Sequence, residues 1–424
     1  MKILTVDIGT GTQDIFLYDS NLDIENGFKL VLPSPTMMVH RRLKQSLHLR
    51  TPMLFTGYQM GGGPSAWAIE EYARAGIPVY MTPSAATTIN DELDKVEALG
   101  IKIVSEDEVE GLKPKVERLE LKDFDFPLIS KTFYDYGVSL KELEAIAVAV
   151  FDHGNAPAGV SDRQFRFDYL DERIRAKNSL AAFAYLSTDI PMIMTRLQSV
   201  ADSAGELPCP LVVMDTAPAA VLGATFDAKL NFSVNDTNSI GRPNKTNLPT
   251  RRSTIICNVG NFHTLAFRLG EKGIEGVFEH HTGEIDLPKL ESLLRRLADA
   301  SLKHEDIFND MGHGALMYTD EVFEFGKDEF DVVVTGPRRS MFRTMDDGRQ
   351  TMDGGRQTID HRLSPIVNGR LRPYFATPFG DMMIAGCFGL LAATAEVLPD
   401  LAEPILGSLR SGRGRGVAPW DNPA

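Results

Sequence analysis

The amino-acid sequence predicts an α/β protein of two domains, and three observations lead there. Apolar runs of strand length end again and again in polar loops: "LEAIAVAVFDHG" (143–154), "PLVVMDT" (210–216), "STIICNVG" (253–260) and "FDVVVTG" (330–336). Such runs belong to strands covered on both faces. Helical patterns alternate with them, the order expected of an α/β chain. At 424 residues the chain is also too long for one ordinary core.

The elements follow in order. "KILTVDI" and "DIFLYD" have the β-branched and aromatic content of paired strands, joined by a Gly-Thr turn. "AGIPVYMT" (75–82) and "GIKIVSE" (100–106) read as strands flanking "INDELDKVEAL", whose Leu93, Val96 and Leu99 share one helical face. "TGYQMGGGPSAWAIEEY" (56–72) lacks the Lys-Ser/Thr ending of a phosphate-binding P-loop and reads as a loop entering a helix. "EIDLPKLESLLRRLADASL" sets Asp286 ahead of Pro288, then Leu290, Leu293, Leu294 and Leu297 at helical spacing, so both the cap and the buried stripe are legible. Between 344 and 364 a seven-residue unit repeats in "TMDDGRQTMDGGRQTIDHRLS". It is too poor in apolar residues for a coiled coil, and an exposed loop is expected. Residues 408–424 are expected to form a disordered tail.

Composition removes several functions. Asp and Glu outnumber Lys and Arg by 58 to 44, a formal charge of −14, so neither nucleic acid nor an anionic membrane is an expected partner. "MKILTVDIG" meets an acidic residue and glycine before a signal-peptide core has accumulated, and no run reaches the roughly 18 apolar residues of a spanning helix. A cytoplasmic protein is expected. Cys209, Cys257 and Cys387 are the chain's three cysteines, none at CxxC spacing. They read as reduced, buried thiols and not as a disulfide, zinc or iron–sulfur set.

Chemistry gathers first in "VDIGTGTQDIFLYD" (6–19). A strand, glycine turn and strand expose several backbone N–H groups that suit phosphates, and Thr10, Thr12 and Gln13 add side-chain donors. Asp7 at the strand end would hold Mg²⁺, which needs hard oxygen ligands. The plain alternative is a surface hairpin with a glycine turn.

Companions in a particular order extend the first reading. The chain resembles the superfamily of actin, Hsp70-type chaperones, hexokinase and acetate kinase, whose members bind ATP between two related domains. "VDIGTGTQD" is similar to the first phosphate motif and "DTAPAAVLGA" (215–224) to the first connecting helix. "IICNVGNFHTLAF" (255–267) is similar to the second phosphate hairpin, "DVVVTGPRRSM" (331–341) to the adenosine motif and "GDMMIAGCFGLL" (380–391) to the second connecting helix. The resemblance implies two ribonuclease H-like domains with an interdomain cleft for ATP and Mg²⁺. Domain I would span 1–212 with a returning helix at 380–400, domain II 213–379, with hinges near 216–224 and 380–390. It implies nucleotide contacts from Gly9, Thr10, Gly11, Thr12, Gln13, Asn258, Gly260, Asn261, Thr264, Gly336, Arg338 and Arg339. "FDHGNAP", "SDRQFRFDYL", "GNFHT" and "EHHTG" further resemble an uncharacterised family labelled pyruvate formate-lyase activating enzyme. A radical activating enzyme needs three closely spaced cysteines for its cluster, which this chain lacks, so the label is set aside as chemistry.

Departures from the superfamily pattern bear on mechanism. Where its second hairpin begins with aspartate, this chain has Asn258, which cannot act as a base. Where its adenosine turn is Gly-Gly, here Gly336-Pro337 removes an N–H, and Arg338 and Arg339 either compensate or are a solvated pair. For an acceptor's proton the candidates are Asp152 and Asp215, each following an apolar strand that would desolvate it; Asp215 caps the next helix in the alternative reading. His153, His263, His280 and His281 are expected in polar loops beside strands, contacting an anionic substrate or a second metal. The expected activity is phosphoryl transfer from ATP to a small molecule of unknown identity. The alternative is an ATP-switched activator or chaperone-like ATPase acting on a partner protein.

Overall fold

The computed structural model describes residues 1–112, 116–230, 253–324, 328, 330–342, 366–367 and 370–414. The repeat at 344–364 and the chain from 415 lie outside the described residues. The fold is mixed α/β, and the chain divides into two compact units: 1–158, 184–216 and 390–424 in the first, 159–183 and 217–389 in the second. Segment 159–183, expected in the first domain, thus sits in the second. Its helix Asp162–Ala176 carries Arg166, whose guanidinium is buried against Glu279 of that unit.

The first unit's main sheet holds β1 (Lys2–Ile8), β2 (Thr12–Asp19) and β3 (Phe28–Pro33). A second sheet holds β4 (Met53–Gly57), β5 (Val79–Met81), β6 (Lys102–Ile103) and β7 (Glu117–Leu121). The chain then returns to the main sheet with β8 (Leu143–Val150), β9 (Ala184–Leu186) and β10 (Leu211–Asp215). The six strands lie in the order β3-β2-β1-β8-β10-β9. β1 runs antiparallel to β2 and parallel to β8, and β8 parallel to β10. In this register Asp7 lies opposite Ala149 and Asp215 opposite Val150, so three neighbouring strands end level with one another. β8 is buried everywhere but Glu144, as its unbroken apolar run requires.

The four-stranded sheet, order β6-β5-β4-β7, is parallel throughout and interrupts the chain between β3 and β8. It has its own core, in which Met53, Phe55, Ile69, Tyr72, Val79 and Met81 are buried. The helices Pro35–Ser46 and Pro64–Arg74 flank it, and the glycine run ahead of Pro64 leads into the second of them, as expected. Leu99 departs from expectation: the helix Leu93–Ala98 stops before it, leaving Leu99 exposed while Val96 is buried. Part of the expected tail is likewise ordered. The helix Ala402–Ser411 buries Ile405, Ser408 and Leu409, with Ser408 Oγ 2.8 Å from Tyr18 Oη, and it ends on Gly412 in the left-handed conformation.

In the second unit β11 (Ser253–Val259), β12 (His263–Gly270), β13 (Gly273–His281), β14 (Gly314–Met317), β15 (Val332–Thr335), β16 (Ile366–Val367), β17 (Arg370–Leu371) and β18 (Tyr374–Phe375) are the strands. Six form a sheet in the order β14-β13-β12-β11-β15-β18; β16 and β17 pair separately. The helix Leu287–Ala298 is capped by Asp286, which accepts from Lys289 N at 2.9 Å, and buries Leu290, Leu293, Leu294 and Leu297 as its spacing predicts. The helices Thr216–Ala224 and Ala385–Val397 cross at Gly223 and Gly389. A Cβ on Gly223 would stand 1.7 Å from Ala385 O, and one on Gly389 1.9 Å from Ala219 O, so backbone meets backbone. No single helix among the described residues is long and apolar enough to cross a membrane.

Candidate functional site

Asp7, Asp152 and Asp215 come together in the first unit. Asp7 and Asp215 stand at the ends of β1 and β10, and Asp152 follows β8 by two residues. All three are buried. In open α/β sheets the crevice beyond the carboxyl ends of parallel strands is where ligands bind. Burial, with Asp215 adding negative charge nearby, pushes the Asp7 carboxyl up to about 6, although Thr216 Oγ1 donates to Asp7 Oδ1 at 2.5 Å. Burial likewise holds Asp152 at about 6 against its own hydrogen bonds, Leu197 N to Oδ2 (2.9 Å) and Gly154 N to Oδ1 (2.8 Å). The following helix begins at Thr216, which sets Asp215 at its N-cap position, and the Thr216 hydroxyl is committed to Asp7.

The turn after Asp7 is preformed. Gly9 N donates to Thr12 O at 2.9 Å, Ser34 N to Gly11 O at 3.2 Å and Ser34 Oγ to Thr10 O at 2.5 Å. With its carbonyls tied back, the turn keeps one shape, the condition for an amide-lined anion site. Gln13 corrects the sequence reading. Its side chain is buried and Nε2 donates to Pro33 O at 3.0 Å, so it serves the sheet edge and not a ligand.

The second unit repeats the motif. Gly260 N donates to His263 O at 3.0 Å, as Gly9 N does to Thr12 O. Asn258, Gly260, Gly336 and Arg338 are brought together: Arg338 N donates to Val259 O, and a Cβ on Gly336, whose φ is +98°, would stand 2.4 Å from Asn258 Oδ1. Asn261 is exposed at the turn. Arg338 is exposed, whereas Arg339 Nη1 lies 2.9 Å from Met382 Sδ. Thr264 is a second correction: fully buried, its hydroxyl faces that of Thr282 at 2.9 Å inside the sheet.

The histidines are corrected in place. His263 opens β12 and His280 and His281 close β13, so these three lie in strands, not loops, because the strands run further than the apolar pattern shows. His153 does lie in a loop, its ring edge-on to Phe151. His280 is buried, with Nε2 3.2 Å from Asp310 Oδ2. Burial, and then the nearby His280 and Arg163, lower the pKa of His281.

Sequence reasoning missed other neighbours of the candidate site. Arg196 makes a two-pronged pair with Asp123, Nε to Oδ2 at 2.7 Å and Nη2 to Oδ1 at 3.1 Å, while Nη1 donates to Phe151 O, beside Asp152. Asp123 also accepts from Gly61 N. A cavity of about 490 Å³ in the first unit is walled on one side by Gln59, Ser84, Thr87 and Asp91. On the other stand Asn155, Met192, Thr195, Gln198, Ser199 and Asp202, a lining rich in hydroxyl, amide and carboxylate groups. No local motif marks these residues; only the pairing of distant segments does.

The profile of a family described as "Putative pyruvate format-lyase activating enzyme (DUF1786)" matches residues 60–341. No curated protein matches the chain. Among solved structures, an exopolyphosphatase-like protein aligns over 98% of this chain and 92% of its own, at 8% identity and a TM-score of 0.25, a likeness too slight to argue from. The cysteines do not fit the cluster that the family's description calls for. Cys209 precedes β10, Cys257 lies within β11 and Cys387 within the helix Ala385–Val397, the last two buried.

Proposed function

This chain belongs to that family, DUF1786, and we propose that it is an ATP- and Mg²⁺-dependent phosphotransferase acting on a small molecule. The observation that carries the reading is the group of three buried carboxylates at level strand ends beside a preformed glycine turn. Two of the three are held near 6. Strand order supports a ribonuclease H-like duplication. Each six-stranded sheet sets three antiparallel neighbours, β3-β2-β1 and β13-β12-β11, beside two strands that continue parallel, β8-β10 and β15-β18.

The donor set suits Mg²⁺: carboxylate oxygens of Asp7 and Asp215 with no soft ligand among them. When bound, the ion supplies charge neutralisation for a phosphoryl group. The chain's residues do the rest. The amides of the turn beyond Gly9, whose N–H is engaged with Thr12 O, orient the phosphates. Asp152, at a carboxyl held near neutrality by burial, takes the acceptor's proton. The polar cavity suits an acceptor with several hydroxyl or amide groups.

A second reading is an ATP-switched activator acting on a partner protein; Asn258, a neutral amide that cannot prepare water for hydrolysis, would then leave ATP turnover waiting on that partner. Counting ADP formed from ATP separates the two. Stimulation by a panel of hydroxylated metabolites, with Asp152→Asn abolishing it, supports transfer. Stimulation by protein fractions alone rejects it.

A further inference from the structure

We propose that His263, His281 and His313 of the second unit hold a divalent transition-metal ion of the zinc class, with Glu279 orienting His313. The three rings form a closed triangle: centroids lie 5.2 Å apart for His263 and His281, 5.0 Å for His263 and His313, and 4.7 Å for His281 and His313. With a metal–nitrogen bond of about 2.1 Å and the ring centre about 1.1 Å behind the nitrogen, three imidazoles on a tetrahedral ion have centroids about 5.2 Å apart. Ring nitrogens of His263 and His313 already come within 4.8 Å of one another, and His281 would bring a nitrogen to them by a turn of its ring. The strand ladder produces this meeting, since β12 and β13 place His263 directly opposite His281.

The surroundings are those of a metal-bound histidine. His313 Nδ1 stands 3.6 Å from Glu279 Oε1, both side chains fully buried, and His313 N donates to Glu279 O at 2.9 Å. At 3.6 Å this is a buried contact short of a hydrogen bond; drawn together, the carboxylate would fix the tautomer and leave Nε2 as the ligand. Glu279 is held in turn by Arg166, Nε to Oε2 at 2.9 Å. Arg163 fixes the loop ahead of His313 by donating to Gly312 O and Phe308 O. His280 is no ligand, being engaged with Asp310. Three histidines leave a tetrahedral ion one open position, the pattern of a reactive site and not of a structural one.

Zinc titration of the dialysed full chain by calorimetry, with Co²⁺ absorption as reporter of coordination, tests the site. One ion per chain and the intense visible band of tetrahedral Co²⁺ are expected. His263→Gln and His281→Gln, at partly exposed positions that folding tolerates, should each weaken binding about 100-fold or more, and Glu279→Gln about 10- to 100-fold. Asp7→Asn should leave zinc binding unchanged, so failure of this site and of the nucleotide site are distinguishable. The proposal is overturned if the unaltered chain binds no zinc, or if the folded His263→Gln/His281→Gln double variant binds it as tightly.

Discussion

Replacing Asp7 by Asn separates the cost of the carboxylate from its use. Raising a carboxyl from 3.8 to about 6 costs the folded state about 3 kcal/mol once the solvent pH exceeds both values. At pH below about 4 the group is protonated folded and unfolded, and costs nothing. Between the two values the folded chain keeps a proton that the unfolded chain has released, so this residue's contribution to stability falls as pH rises through 6. Asn keeps the shape and still accepts from Thr216 Oγ1, but it does not titrate. Asp7→Asn should therefore gain on the unaltered protein as pH rises, by about 1.4 kcal/mol between pH 5 and pH 7.5, whatever offset its amide adds at both. Urea unfolding at the two values measures that difference. The same variant should lose Mg-ATP binding in calorimetry, and Mg²⁺ should raise the melting temperature of the unaltered protein alone. A stability difference independent of pH would refute the buried charge, and undiminished Mg-ATP binding would refute its role.

Other substitutions test the frame. Gly389→Ala drives a methyl into Ala219 O and should cost about 3 kcal/mol or more in urea melts, whereas Gly111→Ala, in a helix with nothing within 4 Å, should gain about 0.5–1 kcal/mol. Arg196→Met leaves buried Asp123 without its guanidinium and should cost about 3–5 kcal/mol; a loss below about 1 kcal/mol in the same melts would show the pair to be dispensable. Burial pushes the Cys209 thiol up to about 11 and raises that of Cys257 as well, so a thiol reagent should label the native protein slowly and all three cysteines only after denaturation.

What was legible in the sequence was what local pattern controls. The runs around Ile146, Val213, Ile256 and Val333 became central strands because only a covered strand tolerates such continuity. Asp286 was readable as a cap, and Asp7 and Asp152 as strand-end carboxylates. What was not legible depends on partners far along the chain. Gln13 and Thr264 have the right chemistry beside the right glycines, yet the neighbouring strand claims one and Thr282 the other. Helix Asp162–Ala176 joins the second unit through an Arg166–Glu279 pair that no window of sequence contains. His313, between Gly312 and Gly314, carries no periodic signal at all; the turn of chain that sets it against Glu279 is visible only in three dimensions.

The interruption of the first unit's main sheet by a parallel sheet with its own core has a consequence for inheritance of specificity. One wall of the polar cavity comes from that insert and the other from the loop and helix after Asp152, bridged at Arg196 and Asp123. Exchanging the insert's Gln59, Ser84, Thr87 and Asp91 would re-dress half the chamber and leave β1, β8 and β10 untouched. Relatives sharing one floor of carboxylates can thus diverge in what the chamber admits by redecorating a single panel.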